Sequence, residues 1–280
     1  MKLVRFSAGA TQSVGILTEQ GVIDVARHAP RVRSLADLLT PEGQAEAATL
    51  KGRGPDHARG DVRLLKPLEA HNRVFCIGIN YRDHASETGR DLPKRPSAFI
   101  RTHESLSDPG QPILRPVAST SYDYEGELVA VIGRRTHLVG EADALSHVAG
   151  YTCFNDGSVR DYQKFSVTAG KNFDRSGSCG PWIVTADEIP DPTRLTLSTR
   201  LNGAEVQHSG TDMLIYSIPL IVSYLSEITT LVPGDLIATG TPAGVGSRRV
   251  PPLWMKHGDR VEVDISGIGV LANEVEDERR

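Results

Sequence analysis

The stretch DYEGELVAVIG, residues 123–133, joins an acidic segment directly to an uninterrupted apolar run. A short apolar run of this kind is typical of a strand that is buried on both faces. Residues two apart in a strand point to the same face, so Glu125 and Glu127 are expected to lie side by side where the strand begins. Two adjacent carboxylates repel each other unless a cation neutralises them. The pair therefore indicates either a divalent metal site or two solvated glutamates at the edge of a sheet.

A third acid follows the next predicted strand, at 150–154. Asp156 lies in the stretch FNDGS, residues 154–158, where Asn and Gly favour a turn. Three carboxylates without a matching His or Cys form an all-oxygen ligand set, which suits Mg²⁺, Mn²⁺ or Ca²⁺ rather than zinc. Mg²⁺ keeps several water positions, which leaves room for a chelating substrate. The alternative is that Asp156 only stabilises the turn.

Short apolar stretches between Gly and Pro residues continue along the chain, which has 27 Gly and 17 Pro. Helices are fewer: one is predicted at 141–145, and an apolar stripe predicts another at 218–228 with Ser217 as its N-cap. This balance predicts a β-rich α+β fold, with further strands at 74–78, 236–238 and 261–265.

Residues 1–66 are predicted to form a small N-terminal α+β domain, followed by a main domain at 67–280. The boundary follows from the stretch KGRGPDHARG, residues 51–60, whose Gly, Pro and charged residues are typical of an exposed connection. The elements predicted for the small domain are strands at 14–17 and 21–25 and a helix at 34–39, which Pro41 is expected to end.

The composition excludes several classes of protein. The 280 residues carry a net charge of −4 and no cluster of Lys and Arg, so nucleic acid is not an expected partner. No apolar run is long enough to span a bilayer and the first residues do not resemble a signal peptide, so a cytoplasmic protein is expected. Three separated cysteines, Cys76, Cys153 and Cys179, form neither a disulfide framework nor a metal knuckle. Cys153 and Cys179 are expected to pack in the core.

A candidate acid–base pair lies in NYRDHASE, residues 80–87. His84 and Glu87 are three residues apart and would share one face of a helical turn. A carboxylate against an imidazole fixes its tautomer and raises its basicity, as a general base for water requires. The alternative is an ordinary surface contact, and surface positions are also predicted for His103 and His208.

Four motifs in order resemble the fumarylacetoacetate hydrolase superfamily, in its acylpyruvate hydrolase and 2-hydroxyhepta-2,4-diene-1,7-dioate isomerase-like branch. They are DYEGELVAVIG, FNDGSVRDYQ, GKNFDRSGSCGPWIVTADEIPDP and GDLIATGTPAGVG, and the resemblance covers residues 70–272. It implies a β-roll main domain, a homodimer, and a Mg²⁺ or Mn²⁺ ion, with Ca²⁺ as a further candidate and no organic cofactor. The metal ligands that it implies are Glu125, Glu127 and Asp156.

The resemblance also implies roles for residues that patterns alone leave open. Lys171 would stabilise an enolate or oxyanion, Gln163 would bind substrate through its amide, and Thr241 would donate its hydroxyl to a substrate carboxylate. His84 and Glu87 fall in a segment that resembles the family's lid, at 82–92. The stretch TGTPAGVG, residues 239–246, lacks the lysine of a phosphate-binding loop and is otherwise expected to be a tight turn. Arg160 and Asp161 are expected to pair with each other or with neighbours.

These features together predict a metal-dependent hydrolase that cleaves a C–C bond in 2,4-dioxo acids, giving pyruvate or another 2-oxo acid and a carboxylic acid. The same groups would support decarboxylation of oxaloacetate or isomerisation of an unsaturated 2-oxo diacid. The presence of both His84 and Glu87 favours hydrolysis or decarboxylation over isomerisation. An alternative of another class is a metal-binding module without catalytic activity, since a fold alone does not decide function.

Overall fold

The central strand predicted from the apolar run is present, and it lies in the middle of a large sheet. The computed structural model describes residues 1–88 and 94–279. Within them the strands are β1 (Lys2–Ala8), β2 (Thr11–Leu17), β3 (Gly21–Asp24), β4 (His57–Ala58), β5 (Arg63–Leu65), β6 (Val74–Gly78), β7 (Ser97–Arg101), β8 (Leu106–Ser107), β9 (Ile113–Arg115), β10 (Tyr122–Asp123), β11 (Gly126–Ile132), β12 (Val148–Asn155), β13 (Ser158–Val159), β14 (Gly177–Thr185), β15 (Thr196–Leu201), β16 (Ala204–Gly210), β17 (Leu236–Ala238), β18 (Arg260–Ile265) and β19 (Gly269–Asp277).

The α-helices are short and mostly peripheral. They are α1 (Val25–His28), α2 (Leu35–Leu39), α3 (Pro41–Ala48), α4 (Arg82–Thr88), α5 (Glu141–Ala144), α6 (Arg160–Gln163), α7 (Val167–Lys171) and α8 (Ile218–Ile228). None of the described helices is long and apolar enough to cross a membrane.

The large sheet has twelve strands, with β4-β3-β2-β1-β14-β12-β11-β17-β6-β7 in order, β5 beside β1 and β8 beside β14. The first 66 residues join it because β1 is antiparallel to β14, with Lys2 opposite Val184. A second sheet has the order β16-β15-β18-β19-β9. The large sheet therefore continues across the predicted domain boundary at 66/67. The division into a small N-terminal domain and a main domain stays a prediction.

Strand β11 has the burial expected of its sequence. All seven of its residues are buried. Val129 packs into a cluster with residues of the first 66 positions, whereas Leu128 and Ala130 pack into a second cluster with β18 and α8. Apolar side chains are therefore needed on both faces of β11, which explains the uninterrupted apolar run. The number of strands and the short helices confirm the predicted β-rich α+β fold.

Helix starts follow their local sequence signals. Ser217 caps α8, because its hydroxyl accepts the Leu220 N–H at 3.3 Å. Ser34 caps α2 in the same way, but Pro41 begins a further helix, α3, that the sequence prediction omitted. Proline is tolerated at the first helical position, where its missing N–H would have no intrahelical partner. The three cysteines are buried and unpaired, and the predicted packing of Cys153 and Cys179 in the core is confirmed.

Candidate active site

Strand pairing brings the three predicted carboxylates together. Glu127 lies opposite Phe154 in the β11–β12 ladder, and the Asp156 N–H donates to the Glu125 carbonyl at 2.8 Å. Ligand atoms of Glu125, Glu127 and Asp156 all lie within 4.8 Å of one another, and the three residues are buried. The burial of Glu125 and Glu127 excludes two solvated glutamates at a sheet edge.

Three cationic side chains surround this cluster. Lys171 Nζ, at the end of α7, lies 2.6 Å from Glu125 Oε2 and 2.5 Å from Asp156 Oδ2. Arg160 Nη2 lies 2.7 Å from Glu125 Oε1, and Arg101 Nη1 lies 2.7 Å from Asp156 Oδ1. Glu125 and Asp156 thus each have two cationic partners. The lysine is 2% exposed, so it is part of the buried cluster and not a surface residue.

The charges of the cluster are distributed unevenly. Burial raises the pKa of the Glu125 carboxyl, but Lys171, Arg160 and His84 outweigh it and lower this pKa to about 2. Burial and the neighbouring Asp156 and Glu125 carboxylates raise the pKa of Glu127 well above its ordinary range. Glu127 is therefore the carboxyl that most needs a further positive charge before it can ionise.

A divalent cation fits this arrangement. The donors are all carboxylate oxygens, which Mg²⁺ and Mn²⁺ prefer. A cation at the cluster would supply the charge that Glu127 lacks. The Gly240 N–H, which donates to Glu127 Oε2 at 2.8 Å, fixes the orientation of that carboxyl.

The predicted acid–base pair is also formed. His84 Nδ1 lies 3.1 Å from Glu87 Oε2, and the two side chains are 9% and 23% exposed, so the pair is not an ordinary surface contact. Glu87 uses its second oxygen, Oε1, to accept the Gly244 N–H at 3.1 Å. Of the predicted lid region 82–92, residues 89–92 lie outside the described part of the chain.

The two predicted substrate-binding residues already have partners. Gln163 Oε1 accepts from Arg160 Nη1 at 2.9 Å. The Thr241 hydroxyl donates to the Gly126 carbonyl at 2.9 Å and accepts from Gln207 Nε2 at 2.8 Å. Thr241 therefore supports the start of β11, and its hydroxyl would have to leave that carbonyl before it could donate to a substrate.

Arg160 and Asp161 pair with neighbours and not with each other. Arg160 bridges Asp123 and Glu125, each at 2.7 Å, whereas Asp161 accepts from the Ser119 hydroxyl at 2.5 Å. The guanidinium thus links the cluster to a fourth acid.

His103, which was predicted to lie at the surface, is half-buried there, with 23% of its side chain exposed. His208 is 59% exposed, as predicted.

Two residues that support the cluster were not predicted. Arg101 ends β7 and has no sequence motif around it, so only the folded structure reveals its contact with Asp156. Asp123 is fully buried and accepts the Gly246 N–H at 2.7 Å and the Ser247 N–H at 3.0 Å. It precedes Glu125 by two residues in the acidic motif, and this spacing is a signal that could have found it.

Comparison with curated proteins gives relatives over almost the whole chain. A mitochondrial oxaloacetate tautomerase from Bos taurus is 34% identical over 287 aligned residues, which cover 98% of this chain and 91% of that protein.

Two solved structures are similar over the full length of both chains. The maleylpyruvate hydrolase from Sphingobium sp. SYK-6, in complex with a manganese(II) ion and pyruvate, has a TM-score of 0.83 and 28% identity and covers 100% of each chain. The 2-hydroxyhepta-2,4-diene-1,7-dioate isomerase from Mycobacterium marinum has a TM-score of 0.79 and 34% identity, again covering 100% of each. Residues 73–276 match the C-terminal fumarylacetoacetate hydrolase family, and the chain accordingly belongs to the fumarylacetoacetate hydrolase superfamily.

Proposed function

We propose that this protein is a divalent-metal-dependent hydrolase that cleaves the C3–C4 bond of 2,4-dioxo acids. The products are pyruvate, or another 2-oxo acid, and a carboxylic acid. The observation that carries the proposal is the presence of a paired His84–Glu87 beside the buried cluster of three carboxylates and Lys171. The pair and the cluster are linked through Gly244, whose N–H donates to Glu87 and whose carbonyl accepts from Tyr124, the residue directly before Glu125.

Glu125, Glu127 and Asp156 would hold Mg²⁺ or Mn²⁺. When bound, such an ion polarises the ketone of a 2-oxo acid and orients it through its carboxylate. The manganese and pyruvate in the Sphingobium hydrolase structure support both the choice of metal and the class of ligand.

The side chains of the protein supply the acid–base chemistry. Glu87 accepts from His84 Nδ1, which leaves Nε2 free to take a proton from water. The water oxygen then bonds to C4, the C3–C4 bond breaks, and its electron pair passes to C3 as part of an enolate. Protonated His84 returns the proton to C3, so that one water is consumed for each bond broken.

Lys171 stabilises the negative charge of the enolate. Burial lowers the pKa of its ammonium, but Asp156 and Glu125 raise it by more, so the lysine stays charged. A fixed positive charge in a buried site stabilises a developing enolate without reorganisation of solvent. We assign substrate contacts to Gln163, whose side chain is half-buried near Arg160, and to Thr241 after rotation of its hydroxyl.

A second candidate is tautomerisation or decarboxylation of oxaloacetate. Its support is the 34% identity to the Bos taurus oxaloacetate tautomerase across 98% of the chain. Both reactions pass through the enolate of a 2-oxo acid, that of oxaloacetate in tautomerisation and that of pyruvate in decarboxylation, and neither requires attack by water. The Mycobacterium marinum relative supports isomerisation of a dienoic diacid as a third outcome on the same groups.

The test is turnover of acylpyruvate, fumarylpyruvate and oxaloacetate by the Mn²⁺-loaded and Mg²⁺-loaded protein. Loss of the diketo absorbance together with pyruvate formation measures hydrolysis. The rate at which oxaloacetate approaches its keto–enol equilibrium, above the uncatalysed rate, measures tautomerisation. We expect His84→Ala to abolish hydrolysis and the exposed His208→Ala to leave it unchanged. Conversion of oxaloacetate alone, by a protein that binds Mn²⁺, would reject the hydrolase.

The predicted assembly and location are separate proposals. Family resemblance implies a homodimer that acts on a small-molecule 2-oxo or 2,4-dioxo acid, and the sequence predicts a cytoplasmic location. Light scattering on the purified protein measures its mass in solution, and a mass of 30.3 kDa would reject the dimer.

A further inference from the structure

The segment after β17 contacts both halves of the proposed site. The Gly244 N–H donates to Glu87 Oε1 at 3.1 Å. Two residues later, the N–H groups of Gly246 and Ser247 donate to the two oxygens of Asp123, at 2.7 and 3.0 Å. One four-residue segment, which we call the 244–247 segment, therefore holds the carboxylate of the acid–base pair and the acid that Arg160 links to the metal ligands.

The position of Gly244 is fixed from its other side. Its carbonyl accepts from the Tyr124 hydroxyl at 3.0 Å and from Arg249 Nε at 3.3 Å. Arg249 Nη2 donates to the Val206 carbonyl at 2.7 Å, so the guanidinium joins two backbone carbonyls. Arg249 Nε also lies 3.1 Å from the Tyr124 hydroxyl oxygen, and the three groups form one network.

Gly244 also satisfies a steric requirement. Its φ is +101°, and a Cβ built on it would lie 2.2 Å from the Val206 oxygen. The backbone at Gly244 therefore packs directly against the Val206 carbonyl, which Arg249 binds. A shift of this carbonyl would move Gly244, and with it the N–H that binds Glu87.

We propose that Arg249 is a positioning residue for the His84–Glu87 pair. It binds the Val206 and Gly244 carbonyls and thereby fixes the Gly244 N–H against Glu87, which in turn orients the imidazole. The hydrogen bonds of Arg249 within the described residues go to carbonyls and to Tyr124, so its effect on His84 passes through Gly244. The kinetic part of this proposal rests on the proposed function, whereas its structural part does not.

The kinetic test compares Arg249→Met with Arg248→Met, a matched change at the exposed neighbouring position. General acid–base groups contribute about 10²–10⁴-fold to rates, and a misoriented pair loses part of this. We expect Arg249→Met to lower kcat roughly 10-fold while KM and the Kd for Mn²⁺ stay unchanged. Arg249→Lys keeps the charge but lacks the fixed fork of N–H donors, and it should give an intermediate kcat. A change in KM or Mn²⁺ affinity without a change in kcat would overturn the assignment.

A double-mutant cycle shows whether Arg249 acts through Glu87. In a Glu87→Ala background, Arg249→Met should cause no further loss of kcat, because the hydrogen bond it supports is already gone. An equal loss in both backgrounds would overturn the proposal.

Hydrogen exchange tests the same relationship without turnover. In the Mn²⁺-loaded protein, we expect backbone amides of α4 to exchange faster in Arg249→Met than in the unchanged protein or in Arg248→Met. Unchanged exchange in α4 would reject the positioning role whatever the substrate proves to be. If no dioxo acid is cleaved but α4 exchange rises, the proposed function fails and the positioning role stands. If Arg249→Met does not fold, Arg249→Lys provides the same comparison.

Discussion

Arg101 Nη1 lies 2.7 Å from Asp156 Oδ1, and neither side chain is more than 1% exposed. The guanidinium also donates to Ser105, Ser176 and the Gly157 carbonyl. Gly157 directly follows Asp156, so one side chain both neutralises the acid and binds the backbone beside it.

Arg101→Met should therefore destabilise the protein strongly. Removing one partner of a buried ion pair leaves the other charge uncompensated, which costs about 3–5 kcal/mol. Urea unfolding measures the free energy of unfolding, and Arg115→Met is the control, because its partner Asp277 is 45% exposed. We expect a loss of less than about 1 kcal/mol for the control. Equal losses for the two variants would contradict the role given to Arg101.

Glu127→Gln should separate metal binding from stability. The amide replaces a carboxyl whose pKa is raised by burial and by Asp156 and Glu125, so the metal-free protein should keep its free energy of unfolding. Affinity for Mn²⁺ should fall by more than roughly 100-fold, since even groups outside the ligand set change it 10–100-fold. Calorimetric titration with Mn²⁺ measures this, with Glu205→Gln as an exposed control. Retained affinity in Glu127→Gln would exclude this residue as a ligand.

Gly244→Ala should lower the free energy of unfolding by more than the same change at another glycine with a positive φ. Gly258 has a φ of +85° with no atom within 4 Å of a built Cβ, whereas at Gly244 the Val206 oxygen lies at 2.2 Å. Gly258→Ala should lower the free energy of unfolding by about 1 kcal/mol, from backbone strain alone. The additional loss in Gly244→Ala then measures the steric clash with the Val206 oxygen. Urea unfolding gives both values, and equal losses would show that the segment moves aside.

Thr241→Val tests whether the hydroxyl serves the fold, the substrate or both. Without it the buried Gly126 carbonyl loses a donor, which costs about 1–3 kcal/mol of stability. Thr241→Ser keeps the hydroxyl and should retain both stability and KM. A rise in KM for Thr241→Val that exceeds any change in kcat would support the contact with substrate, and an unchanged KM would assign the hydroxyl to the fold alone.

The sequence was sufficient for relationships that arise within one strand or one helical turn. The proximity of Glu125 and Glu127 was predicted from the two-residue period of a strand, although β11 begins only at Gly126, and the His84–Glu87 pair follows from helical spacing. Asp156 needed one further step, the antiparallel pairing of β11 with β12.

Relationships that depend on the path of the chain could not be predicted in this way. Arg101 is 55 residues from Asp156 in sequence, and no local pattern encodes their contact. The same holds for Arg249, which is 43 residues from the Val206 carbonyl that it binds. These residues reach their partners only after the sheets have assembled. Arginine is common at protein surfaces, so no local pattern distinguishes these two from surface arginines.

The pairing of β1 with β14 has a consequence for dissecting the protein. Apolar side chains from the first 66 residues, such as Leu3 and Ile16, share one cluster with Val129 and Ile183. A fragment beginning at residue 67 would expose both this apolar face and an unpaired strand edge, which is a template for aggregation. Cutting the chain within the exposed connection at 51–55 should accordingly leave two pieces that stay associated and melt together, as a single cooperative unit.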